Sequence, residues 1–378
     1  MEGTTKMQLP EKIRRPLEKL VKNLQSREDI SSISLFGSWS RGDADPSSSD
    51  VDLLIVDNQH FDYEYTERVE QNGTLIDLNY VPQRWITDTA PSEIDQKIHE
   101  SYILYDREWK LANTKEHMMN SFYTPERYRI RTENYLIDAD IYLSRATSAH
   151  ARGDHESAQL FATLSAQTIL KIVVEAARLP LICSRYLETL ETATKQLDEN
   201  LLFSNYLTVA GLENPSPTQA EEKLHHFKQV WDEISASTKV KSSLLNSMHC
   251  KVKTRLNYYT TPAFLQGIIL RSQALLNETA HQEAAHYLLI TLADMLENYA
   301  WLKATEQNIR LDYTTLLRFL KGQKQSPSTI YKNATHALGI ESVEEKAAEK
   351  TIMAAKQVVT EVRQKRKIFS DMMQQETY

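Results

Sequence analysis

Strand-like patterning stops about a third of the way along this chain, and that break constrains the fold more than any other feature. Over the first 110 or so residues short apolar runs alternate with turn residues. "RRPLEKLVKNLQSRE" sets Leu17, Leu20, Val21 and Leu24 at helical spacing. "ISSISLFGS", where Ile33 and Leu35 alternate with serines, reads as a strand, as do the apolar run "SDVDLLIVD" and "GTLIDLNYV". "SYILYDREW" adds a short apolar segment near Leu104. Helix, strand, turn, strand, strand is a mixed α and β pattern.

From about Thr124 the period becomes helical. "TPERYRIRTENYLIDADIYLSRA" places Tyr128, Tyr135 and Tyr142 seven apart, with Ile130, Leu136, Ile137, Ile141 and Leu143 around them and Pro125 at a first helical position, and reads as a core-facing helix. "DHESAQLFATLSAQTILKIVVEAARLP" opens at a capping Asp154 and stops near Pro180, so the two form a hairpin turned at Gly153. "TPAFLQGIILRSQALL" followed by "TAHQEAAHYLLITLADMLENYAWLKA" repeats that order and suggests a second, related hairpin. Between them Glu213 to Lys223, with Pro215 and Pro217, reads as a linker, and the tail after "KGQKQSPST" reads as charged helix. The fold class expected is α+β, with residues 1–115 as the mixed domain, 120–212 as a helical bundle and 218–378 as a second helical region.

The composition, 41% hydrophobic and 25% charged over 378 residues, is that of a globular chain. No apolar run approaches the ~20 residues that span a bilayer. The N-terminus carries no apolar secretion signal, so a cytoplasmic location without membrane contact is expected. Cys183 and Cys250, the only two cysteines, read as small core residues and exclude a zinc site built mainly of thiolates. His225 with His226, and His281 with His286, lack the i, i+4 spacing of two metal ligands on one helix face. A net charge of −7 argues against a broadly basic nucleic-acid surface.

Chemistry concentrates in "LFGSWSRGDADPSSSDVDLLIV". A Gly37-Ser38 turn between a strand and a helix lets a phosphate approach the backbone closely, Ser38 adds a hydroxyl donor, and Arg41 lies near enough to offer a cation. Asp50 and Asp52, two apart on a strand, point to one face and can share a magnesium site. Asp77 lies among apolar neighbours in "TLIDLNY", where a charge is costly unless paired or metal-bound.

Together "LFGSWSRG", "SDVDLLIV" and "LIDLNYV" resemble the signature of the polymerase-β-like nucleotidyltransferase superfamily. The resemblance covers roughly residues 15 to 110 and implies a nucleotidyltransferase domain within 1–115. By that resemblance Gly37 and Ser38 hold the terminal phosphates of a nucleoside triphosphate, ATP first among them, with Arg41 and Ser49 in the nucleotide-binding set. Asp50 and Asp52 bind two Mg2+ ions. Asp77 completes the metal site or activates the incoming hydroxyl. Nucleoside monophosphate is transferred and pyrophosphate released. The helices from about Thr124 to Gln196 more faintly resemble the C-terminal domain of kanamycin nucleotidyltransferase, where a helix carboxylate is the general base. Asp138 is the first choice here, with Asp140 and Glu133 as alternatives, and the residues after Gly211 do not match that enzyme.

These features favour transfer to a hydroxyl of a small, aminoglycoside-like antibiotic, whose positive charge an acidic rim would attract. The alternative keeps the chemistry but moves it to a protein or RNA acceptor, as in minimal nucleotidyltransferases that partner HEPN-type helical toxins. Arg145 and His150 match the bare R-x4-H spacing of HEPN ribonucleases, with Ala146 where a polar residue is often found. A third reading, a nucleotide sensor without catalysis, is disfavoured by the intact Asp50, Asp52 and Asp77. Nucleic acid as a partner and homo-oligomerisation stay open.

Overall fold

In the computed structural model of the chain, which describes residues 9–88, 90–322 and 327–375, the early apolar runs become five strands. They are β1 (Ile30–Phe36), β2 (Val51–Asp57), β3 (Tyr65–Gln71), β4 (Thr74–Pro82) and β5 (Tyr102–Asp106), in one sheet of order β3-β4-β2-β1-β5. β2 runs parallel to β4, and the other pairings are antiparallel. Every residue of β1 and β4 is buried, so the serines that alternate with Ile33 and Leu35 lie on a covered face and not in solvent.

The first helix, Glu11–Gln25, lays Ile13, Leu17, Leu20, Val21 and Leu24 on this core. Pro16 lies inside it and cannot donate to the Lys12 carbonyl; the Thr74 hydroxyl donates to that carbonyl instead, at 3.4 Å. β3, not among the strands expected from the sequence, joins β4 through Asn72 and Gly73, both at positive φ (53° and 78°), the backbone of a tight primed hairpin turn.

The chain divides into two units, one of Met1–Phe122 with Thr261–Leu270 and one of Tyr123–Thr260 with Arg271–Tyr378. In the second, the helices Pro125–Ala151 and His155–Ala176 form the expected hairpin, capped by Thr124 and Asp154 and turned at Gly153 (φ 71°). The long C-terminal helix Glu345–Gln375 lies along both, with Arg366 donating to Thr132, Glu133 and the Arg129 carbonyl.

Four details differ from the sequence expectation. His155–Ala176 is long and apolar enough to cross a bilayer, but 89% of its apolar window is buried in protein, as in the core helix of a bundle. Ile130, Ile137 and Ile141 are exposed although their neighbour Tyr128 is fully buried, because the core-facing stripe is narrower than the apolar pattern. Cys183 is exposed and Cys250 half-buried, so neither is a core residue. The linker-like stretch ends at Ser216, which opens the helix Pro217–Val240 with a capping box and Pro217 in first position. Of the stretch before the C-terminal helices, residues 323–326 lie outside the described residues.

The second hairpin, Pro262–Asn277 and His281–Glu306, is a structural echo of the first that continues past its end. Both long helices stop at a left-handed residue, Arg178 (φ 56°) and Asn308 (φ 53°), then pass through a 3-10 turn at Cys183–Arg185 or Tyr313–Thr315 into a short helix, Tyr186–Gln196 or Leu316–Lys321. From Arg178 and Asn308 the two copies run in step without a gap, so Leu181, Leu187 and Leu190 correspond to Leu311, Leu317 and Leu320. Each copy caps the other. The Glu283 carboxylate accepts from the Leu187 and Glu188 amides at 3.0 and 2.9 Å. Reciprocally, Ser157 Oγ accepts from the Leu317 amide at 2.8 Å and Asp154 Oδ2 from the Arg318 amide at 3.1 Å. The first amides of each short helix, which have no partner within it, are thus satisfied from the other repeat.

Burial pushes the Glu283 carboxyl up to about 7, with the two amides pulling the other way. A folded-state value above the unfolded one means that its stabilising contribution is present below about pH 4.5 and lost as pH rises through about 7. In paired urea melts at pH 5 and pH 8, wild type should lose roughly 1–3 kcal/mol relative to Glu283→Gln as pH rises; a difference that does not change with pH contradicts the assignment.

Candidate active site

Pairing register builds the site before any side chain is considered. Arg68 of β3 stands opposite Asp77 of β4, Asp77 opposite Asp52 of β2, and Asp52 opposite Phe36, the last residue of β1. Residues opposite one another share a face, so Asp52 and Asp77 project together. Asp50 lies immediately ahead of β2, not within it, and reaches the same place. One oxygen from each of Asp50, Asp52 and Asp77 lies within 4.8 Å of the others. Asp50 and Asp77 are only 8% and 6% exposed.

The turn after Phe36 requires glycine for two reasons. Gly37 has φ 73° and ψ −155°, a backbone that side chains disfavour. A Cβ there would also stand 2.7 Å from Asp52 Oδ2. Ser38 opens a four-residue helix, Ser38–Arg41, closed by the Ser40 and Arg41 amides donating to the Gly37 carbonyl. The loop that follows is knotted around Asp45: its carboxylate accepts from the Ser47 amide and the Ser47 and Ser48 hydroxyls, while its own amide donates to Ser49 Oγ at 3.0 Å. The "ADPSSS" segment is therefore a rigid lead-in that delivers Asp50, and Ser49 helps to lock it.

Arg41 is anchored to one side, with Nη1 donating to Glu100 Oε2 at 2.7 Å and Nε to Asp43 Oδ2 at 3.0 Å. A different arginine sits at the carboxylates. Arg68 Nε donates to Asp77 Oδ1 at 2.5 Å, and Nη2 donates to Asp77 Oδ2 at 2.6 Å and to Asp50 Oδ2 at 2.5 Å. Its side chain is 4% exposed. Sequence reading misses Arg68 because β3 is rich in charge; the Asn72-Gly73 pair, a strong hairpin signal, is what would have exposed the strand that carries it.

Of the helix acids, Glu133 is paired with Arg366 at 2.7 Å and Asp140 with Arg363, while Asp138 lies exposed on the same helix. Arg145, half of the R-x4-H pattern, is bound to Glu297 at 3.1 Å and lies over the Tyr313 ring; His150 packs beside His155.

Residues 17–113 match the family model described as the nucleotidyltransferase domain. The N-terminal part of this chain is a nucleotidyltransferase domain. That match contains all of Gly37, Asp50, Asp52, Arg68 and Asp77 and ends before the helical unit begins. Among solved structures the chain is similar to a nucleotidyltransferase-like protein from Exiguobacterium sibiricum, at 13% identity over 81% of this chain and 90% of that one, with a TM-score of 0.33. No curated protein matches.

The donor set of the nucleotidyltransferase domain fits a hard divalent cation. Three carboxylates supply only oxygen, and oxygens on one Mg2+ at about 2.1 Å lie up to about 4.2 Å apart, close to the spread found here. Replacing Gly37 by Ala should displace Asp52. We expect Mn2+ affinity, measured by calorimetry, to fall at least about tenfold and stability by on the order of 1–2 kcal/mol with the circular dichroism spectrum unchanged; undiminished affinity would show that the turn does not support the metal site.

Proposed function

We propose that the chain transfers a nucleoside monophosphate, from ATP in the first instance, to a hydroxyl of a small polycationic molecule of aminoglycoside type. The observation that carries the reading is the row of Asp50, Asp52 and Asp77 at the edge of the Gly37 turn, within a nucleotidyltransferase domain. These three residues would hold magnesium, two ions in this reading, and the metal would supply positive charge to stabilise the phosphate oxygens. Gly37 and Ser38 receive the terminal phosphates at a backbone kept free of side chain. The rigid Asp45–Ser49 loop and the strand register hold the carboxylates in place before substrate arrives, so little reorganisation is left for the reaction itself. The acceptor hydroxyl attacks the α-phosphorus, the bond to pyrophosphate breaks, and a carboxylate takes the hydroxyl proton. Asp138 is proposed for that role, with Asp77, Asp140 and Glu133 as the alternatives.

The acidic balance of the chain supports a cationic acceptor. Incubation with Mg2+ and each α-labelled nucleoside triphosphate, against aminoglycosides, bulk tRNA and the protein itself, tests the reading. Label is expected on an aminoglycoside, with Asp50→Ala or Asp77→Asn reducing it at least about a hundredfold. Label on RNA or protein alone replaces the acceptor, and label on nothing overturns the reading. Asp138→Asn should lower kcat while leaving nucleotide and metal binding intact; unchanged kcat removes Asp138 as the base.

A further inference from the structure

Arg68 is bound to two of the three carboxylates that could hold a cation. Its guanidinium fork covers both oxygens of Asp77 and reaches across to Asp50. The guanidinium takes up lone pairs on those oxygens that a metal ion would share, and the two cations repel each other across the short distance. Its place is built for it. Gly267 lies buried within the helix Pro262–Asn277, where glycine is a poor choice and alanine the best. A Cβ at Gly267 would stand 2.2 Å from Arg68 Nη1, so the missing side chain is the room that the guanidinium occupies. The group is also the far end of a long, flexible side chain rooted on β3 and can leave without disturbing the sheet.

Building on the nucleotidyltransferase reading, we propose that Arg68 is a resident cation that closes the metal site of the nucleotide-free enzyme and competes with the divalent ion for Asp50 and Asp77. It offsets part of the carboxylates' charge until metal arrives with the triphosphate, whose anionic oxygens then offer the released guanidinium a new partner. Metal alone binds weakly in consequence, and metal with nucleotide binds cooperatively.

The test is Mn2+ binding to the full chain without nucleotide, read from the free-ion electron paramagnetic resonance signal. Arg68→Gln removes the competing charge; Gly267→Ala keeps the charge but removes its seat and suits a helix, so it carries the test even if the first variant fails to fold. Both should bind Mn2+ at least tenfold more tightly than wild type, and Asp50→Asn combined with Gly267→Ala should abolish the gain. In chelator Arg68→Gln should melt below wild type and regain its midpoint with Mn2+. Variants that bind no more tightly than a wild type which itself holds Mn2+ overturn the competition and leave the metal site standing. Absence of Mn2+ binding by all three proteins, even with a non-hydrolysable ATP analogue, overturns the competition and the transferase reading together.

Discussion

Three carboxylates gathered within 4.8 Å, two of them almost wholly buried, repel one another and have lost most of their hydration. Such a cluster persists only if a cation is bound to it and the surrounding backbone is stiff enough to hold it. The rest of the N-terminal unit answers those two demands. Cross-strand register from β3 through β4 and β2 to β1 places Arg68, Asp77 and Asp52 in one row. The knotted Asp45–Ser49 loop fixes the approach of Asp50. Gly37 bends the chain away at a point where a side chain would strike Asp52.

Arg68 gives this arrangement a second state. While the guanidinium is seated it offsets part of the charge of Asp50 and Asp77 from within the domain; when a divalent ion takes over, the same carboxylates become ligands. A site that is stable in both conditions needs no unfolding or loop rearrangement to load, only the rotation of one side chain. The glycine that makes room for it belongs to a helix nearly two hundred positions further along the chain, so the seat of Arg68 depends on a segment well outside the matched domain.

Legibility in the sequence followed the range of the interaction. Gly37, Asp50, Asp52 and Asp77 were visible because strand period and turn chemistry are local, and the fold class followed from where strand patterning stops. β3 was invisible as an apolar run, since Glu67, Arg68 and Glu70 serve the site and the solvent rather than the core, and with it went Arg68. Gly267 carries no signal of its own: a single glycine in a helical pattern gains meaning only once the guanidinium beside it is seen. In the helical unit the hairpins were legible from period and caps, while the exchange of Glu283 and Asp154 between repeats was not, because capping across 95 and 164 positions leaves no local pattern. The same holds for the exposed Ile130, Ile137 and Ile141, whose surroundings are set by distant packing.

The most direct measurement is a crystal structure of the full chain grown with Mn2+ and a non-hydrolysable ATP analogue, read by the anomalous signal of manganese. Manganese should be bound by oxygens of Asp50, Asp52 and Asp77, with the triphosphate at the Gly37 turn and the Arg68 guanidinium withdrawn from Asp50 and Asp77. Arg68 still seated on both carboxylates, with no manganese peak among the three acids and the analogue bound elsewhere, would contradict this.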